Sequence, residues 1–495
     1  MSTAHPDHPT SGTEPTSGNP APEATGAEET ASQTPSRASV IAAAHARADC
    51  GELFAELSRR ISHRTVSTDP EAASATVDYL DGELGPALAR MGFRWQRHEN
   101  PESPRHPFLI AERIEAEAPF TVLMYGHADV QPPQSGKWSP GLDPWTLTER
   151  EDRWYGRGSA DNKGQHTINL AALEEVLRAT GGSLGYSVKV LIESGEEAGS
   201  PGLDAFCAAH REELAADVFI ASDGPRISSS APTVFLGSRG TTLLRLRVDE
   251  RERSHHSGNW GGVLSNAGAI LASALASLVD SRGRILVEAL RPTGIDEPVR
   301  RACARLEVGT DPGDPALTES WGEPGLSPAE RLFAWNTLEI LDFLCGDPLS
   351  PVGAIPGAAH ADLQFRYVVG SAAPEAIVPA VRAHLAAHGL GHVAVEDRGG
   401  MAATRLSPDS PWARLAVDSI RRTTGAEASL VPNLGGTIPN AAFSEVLGLP
   451  TVWIPHSHPG CAQHAPDEHM LAPLAREAMG IMAGLYWDLR SHRPE

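Results

Sequence analysis

The sequence is short of cysteine, of basic residues and of long apolar runs, and each shortage excludes something. Its five cysteines (Cys50, Cys207, Cys303, Cys345 and Cys461) are odd in number and widely spaced over 495 residues. No disulfide framework can be read from them, so a reducing compartment is expected. Lys and Arg total 41 against 63 Asp and Glu, a net charge of −22. A surface so poor in cations is unsuited to nucleic acid or to anionic membranes. No run of about 18 apolar residues occurs, so no membrane span is expected. Residues 2–39 contain no Val, Ile, Leu, Phe, Tyr or Trp. That stretch cannot bury enough apolar surface to offset its ordering entropy and is expected to be a solvated tail. It also lacks the basic start and apolar core of a secretory leader, which makes cytoplasmic residence the expectation.

Beyond residue 40 the composition is that of a globular chain long enough for about three domains. Ile41–Ile61 and Leu474–Leu489 carry apolar residues near helical spacing. Between them, short apolar runs alternate with helix-like segments, which predicts an α/β fold with a largely parallel sheet. Three runs end in polar residues: Thr121–Gly126 in His127, Val188–Glu193 in Ser194-Gly195-Glu196-Glu197, and Asp217–Ser222 in Asp223. Ligands of open α/β sheets bind outside the carboxyl ends of the strands, so one sheet edge collects His, Glu and Asp. From Thr241 to Asp397 the order reads strand, helix, strand, strand, helix, strand, which is ferredoxin-like. Residues 282–335 interrupt it with a Pro/Gly-rich stretch of ambiguous structure, and the first fold resumes near Pro411. The expected division is a tail at 1–39, a first part of one domain at 40–238, an inserted domain at 239–402 and the second part of the first domain at 403–495.

Taken singly, the polar residues have ordinary readings. His127 suits a metal ligand oriented by Asp129, and equally a satisfied histidine at a strand end. Asp161, in Gly156-Arg157-Gly158-Ser159-Ala160-Asp161-Asn162-Lys163-Gly164, is either a helix cap or a carboxylate bridging two cations. That loop lacks the spacing of a Walker phosphate cradle. Glu196 and Glu197 would repel one another unless a cation takes one and leaves the other as a general base. Asp223 before Gly224-Pro225 also fits a turn. His456, His458, His464 and His469 crowd one segment around Cys461, without the spacing of a structural zinc knuckle. Together two histidines and three carboxylates form a mixed nitrogen and oxygen donor set, suited to zinc, manganese or cobalt rather than calcium or magnesium.

The strings GHADVQP (126–132), GRGSADNKG (156–164), ESGEEAGSPGL (193–203), ASDGP (221–225), HSG (256–258) and QHAPDEH (463–469) resemble the motifs of the M20 metallopeptidases. The likeness is greatest to the dipeptidase branch that holds the carnosinase-type enzymes, and it runs from about residue 45 to the C-terminus. The resemblance implies a zinc-exopeptidase-like catalytic domain with an inserted lid and dimerisation domain, and hydrolysis of dipeptides by water activated between two divalent ions. One ion would be held by His127 and Asp223 and the other by Glu197 and His464, with Asp161 bridging. Glu196 would be the general base, and Asp129 would orient His127. The Asp161–Asn162 peptide resembles the family's cis bond. His256 would reach the partner subunit's site in a homodimer, and Arg366 would grip the substrate's C-terminal carboxylate. Asn336 and Thr437 resemble further substrate contacts. One departure is Gly353, where the carnosinase-type pattern has Thr, which removes a hydroxyl from the substrate side.

Other readings share this site. An N-acyl-amino-acid amidohydrolase or desuccinylase would use the same metal residues with a different lid pocket. A biosynthetic amide-processing enzyme needs no new residue type. A non-hydrolytic metal-binding scaffold would be favoured by a missing ligand or base, and none is missing. Cys461 reads as a buried structural thiol rather than a redox switch.

Overall fold

The structure, a computed structural model, describes residues 35–347 and 349–491. The expected tail lies outside the described residues as far as residue 34. Its last residues belong to a helix instead, because the Ser36 side chain accepts from the Ser39 amide and caps the helix starting at Arg37. In chain order the principal elements are α1 (Arg37–Asp49), α2 (Glu52–Ile61), β1 (Arg94–His98), β2 (Phe108–Arg113), β3 (Thr121–His127), α3 (Lys163–Ala179), β4 (Ser187–Glu193), α4 (Leu203–Ala209), β5 (Val218–Ala221) and β6 (Thr233–Phe235). They continue with β7 (Gly240–Asp249), α5 (Ala267–Leu278), β8 (Thr337–Ile340), β9 (Ala358–Tyr367), α6 (Pro374–Ala387), β10 (Ala394–Met401), α7 (Pro411–Thr424), β11 (Ser429–Val431), β12 (Thr451–Trp453) and α8 (Ala472–Leu489). The helical stretch expected at 41–61 is thus two helices, separated at Gly51, whose φ of 84° leaves the helical region.

The first sheet has eight strands in the order β1-β2-β4-β3-β5-β12-β6-β11. Its centre is parallel, from β4 through β3 and β5 to β12, while β1 and β2 add antiparallel strands at one edge. Every residue of β4 is buried, as a strand covered on both faces requires. One core, including Leu170, Leu173, Met479 and Leu485, fills one face against α3 and α8. Another, including Phe108, Leu191, Phe219 and Trp453, fills the other.

The second sheet follows the order β8-β9-β7-β10, all antiparallel, with α5 and α6 packed against it. Along β7 buried residues alternate with more exposed ones, the mark of a strand covered on one face. The segment left ambiguous at 282–335 divides its loyalty. Ile285, Val287 and Leu290 join the second sheet's core, whereas Val299, Cys303, Leu306, Ala329 and Phe333 join the core of the first. Among the described residues, no helix is long and apolar enough to cross a membrane.

Leu485 is fully buried in α8. Leu485→Ala should cost about 2–5 kcal/mol, read from urea unfolding. A loss below about 1 kcal/mol would mean that this helix is not central to the core.

Candidate metal centre

The carboxyl ends of β3, β4 and β5 converge on one edge, and the strand register does the positioning. His127 pairs with Glu193 across the parallel β3–β4 ladder. The amide of Ala128 continues the pairing by donating to the Glu193 carbonyl at 2.8 Å. The turn after β4 therefore begins beside His127. Asp129, two residues on, is fully buried, and its oxygens accept from the Glu196 amide at 3.2 Å and the Glu197 amide at 3.0 Å. A carboxylate oxygen of Asp129 also lies 3.4 Å from Nδ1 of His127. The Asp129 carbonyl is nearer still, 3.1 Å from Nδ1 of His127, and the Asp129 side chain holds the backbone of the acidic turn, a task that the sequence reading did not foresee.

Asp161 is shared. One of its oxygens is 3.0 Å from Nε2 of His127 and the other 3.1 Å from Nε2 of His464. It is not a helix cap, since the α3 cap position falls on Asn162 with no side-chain capping bond. Nε2 of His127 lies 3.8 Å from Asp223, and Nε2 of His464 lies 3.2 Å from Glu197. Two donor trios result, His127–Asp161–Asp223 and Asp161–Glu197–His464, each with its ligating atoms within 4.8 Å of one another. The Asp161–Asn162 peptide is cis. Glu196 lines the cavity of about 340 Å³ above the cluster, together with Asp161, Asp223, Thr437, Gln463 and His464.

Charge makes the cluster costly by itself. Burial pushes the Glu197 carboxyl up to about 8, with Asp161 adding to it, and pushes Asp223 up to about 6 for the same reasons. Glu196 is driven well above the carboxylate range, again by burial first. Hydrogen bonding to Asp161 raises His464 to about 9. The trios hold three carboxylates and two imidazoles, with the Glu196 carboxyl beside them, a concentration of negative charge that two divalent cations would offset.

Several supports were missed. Glu468 is buried, and its Oε1 accepts from the amides of Gly158, Ala160 and Asp161 at 3.0–3.1 Å. Its Oε2 takes Nη1 of Arg157 at 2.6 Å. This pair shapes the loop that presents Asp161. Both residues lie inside the quoted strings, but nothing local says that residues 157 and 468 meet. Gln131 donates to Glu197 at 2.7 Å. Of the four clustered histidines only His464 reaches the trios. Its φ of 62°, with Ala462 and Asp467 also in the left-handed region, marks a tightly shaped loop. His456 is buried against Ser222 and Asn169. Cys461 is buried, which pushes its thiol up to about 12.

The residues expected to touch substrate divide. Thr437 lines the cavity and accepts from Nη1 of Arg366 at 3.0 Å. Arg239 joins them: its carbonyl accepts from Thr437, and the Arg366 charge beside it adds to burial in holding its guanidinium down at about 10. Asn336 is buried, with its Oδ1 accepting from the Val368 amide and its Nδ2 donating to the Leu290 carbonyl. Its amide is thus spent on joining the chain around the second sheet. His256 is exposed on the short ribbon His255–His256, paired with Ala354–Ile355, and does not line the cavity.

Comparison with known proteins agrees with this geometry. The model of peptidase family M20/M25/M40 matches residues 123–487. A cysteinylglycine-S-conjugate dipeptidase of Corynebacterium striatum is 30% identical over 393 residues, covering 78% of this chain and 84% of the relative. The human β-Ala-His dipeptidase is 36% identical over 208 residues, 41% of this chain and 40% of that protein. Among solved structures, an M20 family metallo-carboxypeptidase of Sulfolobus solfataricus superposes with a TM-score of 0.76 at 25% identity, over 89% of this chain and 99% of that one. Human carnosine dipeptidase 1 gives 0.73 at 24% identity, over 92% and 100%. Fold and match together define a hydrolase of the metallopeptidase class. The chain belongs to the M20 peptidase family, and within it is related to the carnosine and Cys-Gly dipeptidases.

Two outcomes test the centre. Glu468→Ala removes one partner of a buried ion pair and should cost about 3–5 kcal/mol together with metal retention, read by unfolding and metal analysis. Wild-type values for both would remove Glu468 from the support of Asp161. In metal-free protein the raised Glu197 carboxyl binds a proton in the native state that the unfolded chain, near 4.5, releases. The sign follows: its stability contribution is present below about 4.5 and is lost as the pH rises through about 8. Chelator-stripped protein should therefore melt lower at about pH 9 than at about pH 6, and added divalent metal should shrink that drop. A metal-independent pH profile would contradict the charge argument.

Proposed function

We propose that this chain hydrolyses the peptide bond of dipeptides, using two divalent cations and recognising the free C-terminal carboxylate. The single observation that carries the reading is the pair of donor trios joined through Asp161. His127, Asp161 and Asp223 would hold one ion, and Asp161, Glu197 and His464 the other, with zinc, manganese or cobalt fitting the donors. When bound, such ions acidify water and polarise a carbonyl oxygen. The remaining chemistry falls to the chain's own groups. Glu196, in the cavity wall, takes the proton from the attacking water and returns it to the leaving amine. Asp129 keeps the His127 imidazole in one orientation. Arg366, seated on Thr437, offers its guanidinium fork to the substrate carboxylate, which fixes the scissile bond over the cluster.

The second sheet, within residues 239–402, serves as a lid, and two copies pair through it. Ile340, Leu341, Phe343 and Leu344 are all at least 40% exposed along β8 and the segment after it, an apolar edge that supports this pairing. His256 then donates to the oxyanion in the other copy's site. The composition supports cytoplasmic residence.

Glu196→Gln should lower kcat by at least about a hundredfold on a dipeptide panel while both metals stay bound, checked by steady-state kinetics and elemental analysis. Near-wild-type turnover would remove Glu196 as the base. Turnover of N-acyl amino acids in place of dipeptides would shift the reading to a deacylase.

A further inference from the structure

A second group of ligating side chains stands apart from the carboxylate-lined edge. His98 is the last residue of β1, the edge strand of the first sheet, and pairs with Phe108 of β2. His210 follows α4 directly, and Glu213 lies three residues on, within the next turn. Nδ1 of His210 is 2.8 Å from one Glu213 oxygen, and Nε2 of His98 is 3.6 Å from the other. The ligating atoms of all three lie within 4.8 Å of one another.

The rings are held in place from below. Phe206 of α4 stacks on His210 at 4.2 Å between centroids and meets His98 edge-on at 5.7 Å. Phe206 itself stacks on Phe108 at 4.0 Å, so both imidazoles rest on a platform anchored in the sheet core. The two imidazoles meet edge to face at 4.7 Å. Such packing costs entropy that a loose surface ion pair would not recover.

One atom in this arrangement lacks a hydrogen bond. Nε2 of His98 is buried and makes no hydrogen bond. A buried nitrogen left so is unfavourable, and a ligand between it and Glu213 would satisfy it. The side chains of His210 and Glu213 stay 28% and 37% exposed, so solvent can reach the cluster and complete a coordination shell.

We infer that His98, His210 and Glu213 form an additional metal site for a borderline divalent ion of the zinc, cobalt or nickel type. Two imidazoles and one carboxylate suit such ions, whereas calcium and magnesium prefer oxygen alone. An ion there would clamp the edge strand β1 to the end of α4. The inference does not rest on the hydrolytic reading, because none of the three residues lines the cavity above Asp161.

The experiment compares full-length protein, its Glu213→Gln variant and its His210→Ala variant. Each is loaded with manganese, dialysed against zinc and assayed by elemental analysis, and zinc-soaked crystals are measured at the zinc absorption edge. The expected result is a zinc peak between the three side chains in wild type. Each variant should lose that peak and one equivalent of total metal, with dipeptide hydrolysis by the manganese-loaded protein unchanged. Should His210→Ala disturb the Phe206 stack and fail to fold, the part-exposed Glu213→Gln carries the test alone. No peak in wild type at saturating zinc, or equal metal content in wild type and Glu213→Gln, overturns the proposal and leaves an ordinary histidine–glutamate contact.

Discussion

The constraint on which this molecule depends is electrostatic: four carboxylates and two imidazoles are gathered at one sheet edge where burial penalises every negative charge. Glu196, Glu197 and Asp223 are all pushed upward, first by burial and then by Asp161, with Asp223 and Glu197 adding to the rise of Glu196. An apolar replacement would suit the fold better, so the arrangement makes physical sense as a cage for cations. The fold meets its cost through fixed partners. Asp129 carries the amides of Glu196 and Glu197, and Glu468 carries three amides of the loop leading to Asp161. Each is a buried carboxylate receiving backbone N–H groups, an arrangement that stabilises the charged form without a mobile counterion.

The strand ends were legible in the sequence because the contrast there is abrupt. An apolar run that stops at His127, Glu193 or Asp223 can only deliver those residues to the end of a buried strand. Asp161 was not decidable by that logic, since a cap and a bridge look alike before a helix. The structure separates them through distance, with both oxygens taken by His127 and His464. The Arg157–Glu468 pair was out of reach for another reason: it joins residues 311 apart, and no periodicity encodes such a contact.

The ferredoxin-like order from β7 to β10 was also readable, because alternation along β7 and β9 has the strand period. The Pro/Gly-rich segment inside it was not. Its residues 297–334 have too few periodic positions to declare a face, and they pack across onto the first sheet's core. Arg239, the first residue of the inserted stretch expected at 239–402, was given no role from the sequence, yet its carbonyl accepts from Thr437 and its guanidinium stands beside the Arg366 charge. Residues that work through long-range packing were thus the ones lost, while residues that chemistry places at strand ends were found.

The bridging role of Asp161 is the point at which this account is most exposed. Manganese-loaded protein examined by electron paramagnetic resonance tests it directly. A bridged pair predicts the broadened signal of two spin-coupled ions, reverting in Asp161→Ala to the spectrum of isolated manganese(II) or to none. Isolated-ion spectra from fully loaded wild-type protein would contradict a shared carboxylate and the paired-cation centre built on it.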